Sequence, residues 1–211
     1  PDGPAAAAIG VRDGRIAAIG AVDADWEADA AEALAPGVHL IPGIVDTHVH
    51  VNEPGRTDWE GFATATAAAA VGGVTTIIDM PLNSIPPTTT PDALAGKRAV
   101  AAPQAAVDVG FWGGAIPSSL GHLRELHDAG VFGFKAFLSP SGVDEFPHLS
   151  TEQLGAALGR FDGGDGGADD VVAGQLVHRQ RFAGDHRLVH GRAAGDDDAV
   201  GGDLLAGANH E

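Results

Sequence analysis

The pattern of apolar and polar residues predicts a β-hairpin near the start of the chain. In IGVRDGRIAAIG, residues 9–20, two alternating apolar runs flank an Asp-Gly pair, which is typical of a tight hairpin turn. A single hairpin is not stable by itself. We therefore expect it to belong to a small β domain in residues 1–42, with earlier strands preceding residue 1.

Strand and helix patterns then alternate four times between residues 43 and 161. The predicted strands are GIVDTHVHV, VTTIIDMP, AVDVGFWGGA and GFKAFL. Each is followed by a segment of helical pattern, in turn WEGFATATAAAAVGG, TPDALAGKRAVAA, SSLGHLRELHDAG and STEQLGAALGRF. This alternation predicts parallel βαβ units, and apolar runs such as VTTIIDM predict strands that are buried on both faces.

Two α/β architectures fit this alternation, an open doubly wound sheet and a (β/α)₈ barrel. The open sheet usually has a Gly-rich phosphate-binding turn after its first strand, and this chain has HVHVNEPGR there instead. In a barrel, polar residues at the carboxyl ends of the strands build the active site. The polar residues at such ends are His48, His50, Asp79, Asn83 and Lys135. The barrel is therefore the predicted fold, and because a complete one needs about 250 residues, we expect residues 43–161 to form only its first half.

Residues 162–211 differ in composition from the rest of the chain, because Gly and Asp are abundant while Ser, Thr, Pro, Ile, Lys and Trp are absent. A flexible acidic linker is one interpretation. Translation in a shifted reading frame is another: apart from Phe182 and Asn209, every residue of this segment has a codon that begins with G or C, as expected when a GC-rich gene is read out of frame. If one inserted or deleted base near codon 162 does not restore a βα pattern, the frameshift hypothesis fails.

Charge and composition exclude several classes of function. The chain has 12 Lys and Arg against 29 Asp and Glu, a formal net charge of −17, whereas nucleic-acid binding needs a basic surface. No apolar run approaches the ~18 residues of a membrane-spanning helix, and the first residues lack the pattern of a signal peptide. We expect a cytoplasmic protein without nucleic-acid or membrane partners. Since Cys is absent, any metal needs His, Asp, Glu or a modified Lys as ligand.

Two histidines at the end of the first predicted barrel strand are candidate metal ligands. Residues two apart in a strand point to the same side, so His48 and His50 project into one space. Two adjacent imidazoles form half of a catalytic zinc-type site. The alternative is a structural or surface role, since a His-x-His pair also occurs by chance.

A lysine in the fourth predicted strand favours the metal interpretation. Lys135 lies in the apolar run GFKAFL, where an ammonium group without a partner is costly, and the chain has only two lysines. The alternative is a side chain that extends from the strand end to solvent, as is common for lysine. A desolvated lysine loses its proton readily, and its neutral amine can then react.

The run GIVDTHVHVNEPGRTDWEGFATATAAAAVGGVTTIIDMPLNSIPPTTT, together with GFKAFLSPSGVDEFP, resembles the cyclic amidohydrolases, and among them the allantoinase family. The resemblance covers about residues 8–161. It implies a small β domain on a (β/α)₈ barrel that holds a two-metal centre.

The resemblance also implies the roles of the candidate residues. By matching positions, His48 and His50 bind one metal. Lys135 reacts with CO₂ to form a carbamate that bridges both metals, which makes it a ligand and a catalytic residue. Zinc is the expected metal, with Co, Mn, Ni and Fe as alternatives. Because a metal pair activates water and polarises a carbonyl group, the implied reaction is hydrolysis of a cyclic amide C–N bond, from allantoin to allantoate. A homo-oligomer, commonly a tetramer in this family, is expected for the full-length protein.

Two asparagines are candidate substrate-binding residues. Dihydroorotases carry Arg where this chain has Asn52, and that Arg helps to hold a substrate carboxylate, which allantoin lacks. A neutral hydrogen-bonding residue therefore favours allantoin. Asn83, in MPLNSIPPTT, is the second candidate, with a turn-forming role as its alternative.

Other parts of the implied site are not evident in the sequence. The family pattern also needs histidines on strands five and six and an aspartate on strand eight. His178, in GQLVHRQ, is a candidate for the first, although it lies late for the short βα rhythm. We therefore expect the 211-residue chain by itself to be inactive. The remaining histidines outside the tail receive no function: His39, His122, His127 and His148.

Two other functions fit the same residues. One is a different cyclic amidohydrolase, a dihydroorotase or a hydantoinase. The other is a non-catalytic barrel homologue that serves as a scaffold. Such homologues typically lose metal ligands, and the presence of His48, His50 and Lys135 argues against this alternative.

Overall fold

The computed structural model describes residues 3–159 and the backbone of two short strands further along the chain. The described elements divide into two compact units at Pro42 and Gly43. The strands are β1 Ala8–Arg12, β2 Arg15–Gly20, β3 Glu32–Ala33, β4 Ile44–Val49, β5 Val74–Asp79, β6 Asp108–Phe111, β7 Gly113–Gly114, β8 Phe134–Ala136, β9 Val171–Ala173 and β10 Ala206–Gly207. The helices are α1 Phe62–Val71, α2 Pro91–Ala101, α3 Leu123–Asp128 and α4 Thr151–Leu158, with a 3₁₀ turn at Leu120–His122.

The first unit is a small four-stranded sheet in the order β2-β1-β10-β3. Its β1 and β2 form the predicted antiparallel hairpin, which is thereby confirmed. The turn residues Asp13 and Gly14 both have positive φ, at 51° and 69°, as tight hairpin turns require. The Trp26 ring lies so close to Gly20 that a Cβ atom there would be 2.7 Å from it. Glycine is therefore needed at the end of β2.

The second unit contains parallel strands whose spatial order follows their order in the chain. One sheet has the order β4-β5-β6 and another the order β7-β8-β9. The backbone continues the pairing across the break, because Phe132 N–H donates to Phe111 O at 2.9 Å and Gly113 N–H donates to Gly133 O at 2.8 Å. Sequential parallel neighbours are the arrangement of a barrel. The predicted single strand AVDVGFWGGA is divided at Trp112, whose indole Nε1–H donates to Thr47 O at 2.9 Å.

At the start of α1, α2 and α4, a side chain accepts a hydrogen bond from a free backbone N–H group. The Thr90 side chain accepts a hydrogen bond from Ala93 N–H at the start of α2. Ser150 and Gln153 form a reciprocal capping box at the start of α4. The Glu53 carboxylate accepts from Phe62 N–H at the start of α1. No helix in residues 3–159 is long and apolar enough to cross a lipid bilayer.

The predicted burial of the run VTTIIDM is correct for the end of β5, whereas the start of β4 is exposed. Ile77 and Ile78 are each 1% exposed, whereas Ile44 and Val45 are 51% and 46% exposed. The physical reason is position: among the described strands, β4 pairs only with β5 and lies at the edge of its sheet. The predicted irregular tail at 162–211 falls outside the described residues, except that β9 pairs with β8 and β10 with β1 and β3.

Candidate metal centre

Two imidazole rings lie side by side at the carboxyl end of β4. The ring centroids of His48 and His50 are 5.4 Å apart, with an angle of 44° between the ring planes. His48 belongs to the strand and His50 follows its last residue. The structure therefore places both rings on one side of the chain, as the sequence spacing predicts.

Lys135 brings a third nitrogen to the same place from a strand 87 residues further along. Its Nζ atom lies 3.5 Å from Nε2 of His48. The side chain is buried, with 8% of its surface exposed, and Nζ lies 5.2 Å from the centroid of the Phe137 ring. The predicted buried position is confirmed, so the alternative of a lysine that extends freely into solvent does not hold.

Burial lowers the pKa of all three groups, and repulsion from Lys135 lowers the pKa of both histidines further. Burial and the charge of Lys135 lower the pKa of His50 to about 4, and a hydrogen bond with the Leu82 backbone opposes this only in part. The pKa of His48 is lowered by the same two causes and raised slightly by Asp46. Burial also lowers the pKa of Lys135. At neutral pH His50 is therefore an uncharged imidazole with a free lone pair, which is the form that binds metals.

Lys135→Met should raise the pKa values of both His48 and His50 toward 6.5, because the positive charge that opposes their protonation is removed. NMR titration of the imidazole resonances measures both values. Lys135→Arg is the matched control, since it keeps the charge and should leave the two pKa values lowered. Unchanged titration of the Met variant would show that no charge on Lys135 acts on the histidines.

Of the two predicted substrate-binding asparagines, Asn83 contacts a histidine of the candidate site. Asn83 Nδ2 is 3.4 Å from Nδ1 of His50, and Asn83 has a φ of 80°, a left-handed conformation that Asn tolerates in turns. Asn83 therefore makes the turn and also contacts the candidate site. Asn52 is buried, and its Oδ1 atom has no hydrogen-bond partner in the part of the chain that the structure describes.

An arginine that the sequence reasoning missed connects three loops around the site. Arg56 Nη1 donates to Asn83 O at 2.8 Å and forms an ion pair with Glu145. Its guanidinium group also lies 4.9 Å from the centroid of the Trp59 ring. The loops after β4, β5 and β8 are therefore joined through one side chain. Arg56 and Glu145 both occur in the motif segments, but no local spacing predicts their contact.

A buried ion pair lies behind the histidines. Asp79, at the end of β5, pairs with Lys97 of α2, and both side chains are almost completely inaccessible to solvent. Burial raises the pKa of Asp79 to about 6, although the charge of Lys97 and a hydrogen bond from Val51 lower it. Lys97 was also missed by the sequence reasoning. It lies between Leu94 and Ala101 on the buried face of α2, a spacing that could have identified it.

Two of the other histidines can be placed only in part. Nδ1 of His122 lies 3.0 Å from Glu125, and His178 lies outside the described residues. Within residues 3–159, no group of three or more His, Asp or Glu side chains is arranged to hold a metal ion. Among the described residues, Lys135 is the further nitrogen donor that lies beside His48.

Comparison with known protein families gives a match over most of the described chain. A model described as "Amidohydrolase family" matches residues 39–164. An allantoinase of Streptomyces avermitilis is 60% identical over 164 residues, which cover 77% of this chain and 37% of that protein. An allantoinase of Saccharomyces cerevisiae is 56% identical over 119 residues, which cover 56% of this chain and 26% of that protein. The match thus covers between about a quarter and just over a third of the length of these relatives.

Solved structures share the fold. The L-hydantoinase (dihydropyrimidinase) of Arthrobacter aurescens superimposes with a TM-score of 0.71 and 34% identity, over 82% of this chain and 37% of that one. A D-hydantoinase structure gives a TM-score of 0.53 and 28% identity, over 72% of this chain and 34% of that one. These likenesses confirm the predicted α/β barrel class, with about its first half present in the described residues.

Proposed function

The chain belongs to the amidohydrolase family, and on that basis we propose that His48, His50 and Lys135 hold metal ions for the hydrolysis of a cyclic amide. Members of this family are generally metal-dependent. The observation that carries the proposal is the convergence of two uncharged imidazoles and a buried lysine amine at the ends of two strands. Zinc is the proposed metal, with Co, Mn, Ni and Fe as alternatives.

His48, His50 and a carboxylated Lys135 would supply part of the donor set of a two-metal centre, and the strand-five, strand-six and strand-eight residues of the family pattern would supply the rest. The ammonium group first loses one proton; the neutral amine then attacks the carbon of CO₂, a C–N bond forms and a second proton leaves, so that an anionic carbamate replaces the ammonium group. Burial favours the reactive form of Lys135, because it lowers the pKa of the side chain and so increases the fraction of uncharged amine. A carbamate supplies oxygen ligands, and His48 and His50 supply nitrogen ligands, a mixture that suits zinc.

The residues of this chain have separate tasks in the proposed reaction. The metal pair supplies Lewis-acid activation of water and of the scissile carbonyl group. Asn52 presents a buried amide oxygen that has no described partner, and it is proposed to accept a hydrogen bond from a ring N–H group of the substrate. Asn83 contacts His50, and it is proposed to hold the side of the substrate ring opposite to Asn52. Hydrolysis breaks the ring C–N bond and yields a carboxylate and an N–H group.

Allantoin is the proposed substrate, and allantoate the product. Support comes from the names of the two relatives, which are 60% and 56% identical to this chain. The neutral Asn52 also suits a ring without a carboxylate. Hydantoin is the second candidate, because an L-hydantoinase shares the fold at 34% identity. We further propose a cytoplasmic homo-oligomer, tetrameric at full length, without nucleic-acid or membrane partners.

A chimera tests the proposed activity directly. Residues 8–159 of this chain would replace the matching segment of the Streptomyces avermitilis allantoinase, so that the relative supplies the remainder of the barrel. We expect the chimera to hydrolyse allantoin with a higher kcat/KM than hydantoin or dihydroorotate. Preference for either of the other substrates would reject allantoin as the substrate. A folded chimera that binds no metal and hydrolyses none of the three would favour the scaffold alternative.

A further inference from the structure

The ion pair of Asp79 and Lys97 is unusual for its burial. Each side chain is 1% exposed, and they come from the end of β5 and the middle of α2. Removing two charges from water costs several kcal/mol per ion, and a well-packed apolar pair is often equally stable. Stability alone is therefore a weak explanation for this pair.

The hydrogen bonds of the pair enclose one of the candidate metal ligands. Asp79 Oδ1 accepts from Val51 N–H at 2.7 Å, one residue after His50. Met80 N–H donates to Val49 O at 2.8 Å, one residue before His50. The backbone of His50 is thus held on both sides by two consecutive residues.

Lys97 completes this arrangement from the helix. Its Nζ atom pairs with the Asp79 carboxylate and also donates to Met80 O at 3.3 Å. It therefore fixes both residues that hold the backbone around His50. The regular ladder between β4 and β5 is interrupted in this region, where the register shifts between Asp46 and Val49. A carboxylate consequently takes the place of the backbone carbonyl that a regular ladder offers to Val51 N–H.

We propose that Asp79 and Lys97 are positioning residues that orient His50 toward Lys135 and His48. Neither side chain ligates the metal. Asp79 acts through the Val51 N–H group, and Lys97 acts by holding Asp79 and Met80. The inference rests on the proposed metal site, and it adds an outer layer of the kind that orients metal-ligating histidines.

Two double variants of the 211-residue chain separate positioning from simple packing. Asp79→Asn/Lys97→Met removes both charges and keeps an oxygen that can accept from Val51 N–H. Asp79→Leu/Lys97→Met removes the charges and the acceptor and keeps the same number and branching of side-chain heavy atoms at position 79. Zinc affinity is measured by isothermal titration, and the fold by urea unfolding. We expect the Leu variant to bind zinc about 10–100-fold more weakly than the Asn variant. Equal affinity in the two folded variants would overturn the proposal.

A second measurement needs no metal. In the metal-free chain, nuclear Overhauser contacts between the His48 and His50 rings should persist in the Asn variant and weaken in the Leu variant. Wild-type chain that binds no zinc would show that His48, His50 and Lys135 do not hold the metal without the remaining ligands, while this comparison still decides the positioning role. Unchanged ring contacts in the Leu variant would overturn positioning whatever the zinc result.

If the Leu variant does not fold, replacing the Val51 amide by an ester in the wild-type chain removes the same N–H donor and leaves both charged side chains in place. The same loss of ring contacts is expected. Retained ring contacts in the folded ester chain would overturn the proposal.

Discussion

Lys97→Met alone should lower the free energy of unfolding by about 3–5 kcal/mol at neutral pH, because it leaves the buried Asp79 carboxylate without its partner. Urea unfolding of the 211-residue chain measures this loss. Asp79→Asn/Lys97→Met should recover most of it, since no charge then remains buried. Arg15→Met, at an exposed position of the hairpin, is the surface control and should change stability by less than about 0.5 kcal/mol.

The same variant should show a characteristic pH dependence. Burial already raises the pKa of Asp79 from 3.8 to about 6, and loss of Lys97 removes a cause that lowers it. Between the unfolded and folded pKa values the native Lys97→Met chain binds more protons than the unfolded chain, so its stability falls as pH rises. The difference in free energy of unfolding between wild type and Lys97→Met should therefore be small near pH 4 and grow as pH rises. A loss of unfolding free energy of the same size at pH 4 and at neutral pH would show that lost packing, and not the unpaired charge, is responsible.

Lys135→Met in the chimera should reduce kcat/KM for allantoin by more than about 100-fold, beyond the usual effect of losing an outer-shell partner of a metal ligand. Lys135→Arg keeps a positively charged side chain of similar length. It should lose as much activity as Lys135→Met, because a guanidinium group does not form a carbamate. Steady-state kinetics and metal content of both variants provide the measurement. Near-normal activity of the Arg variant would show that the side chain acts as a cation.

Much of the fold follows from local pattern. The hairpin, the four strand–helix units and their parallel order could be predicted, because alternating periods and capping residues are properties of short segments. The interruption at Trp112 could not, since it depends on an indole group that reaches Thr47, 65 residues away. The exposure of Ile44 depends on which strands flank β4, and the local sequence around Ile44 does not predict those neighbours.

The site was partly predictable for the same reason. His48 and His50 are two apart in a strand, and Lys135 is a charge inside an apolar run, so each is conspicuous by itself. The contact of Arg56 with Glu145 joins residues 89 apart and has no local signature. Lys97 is intermediate: its place on the buried face of α2 is visible in the helical spacing, but only the fold shows that Asp79 lies opposite.

Carbamate formation on Lys135 is the central claim, and ¹³C NMR tests it most directly. The chimera would be equilibrated with zinc and ¹³C-labelled bicarbonate, alongside its Lys135→Arg variant. The expected result is one protein-bound carbamate resonance in the chimera that is missing in the variant, with two zinc ions bound per chain in the first case only. A chimera that binds zinc and hydrolyses allantoin without any labelled carbamate would contradict the proposed role of Lys135.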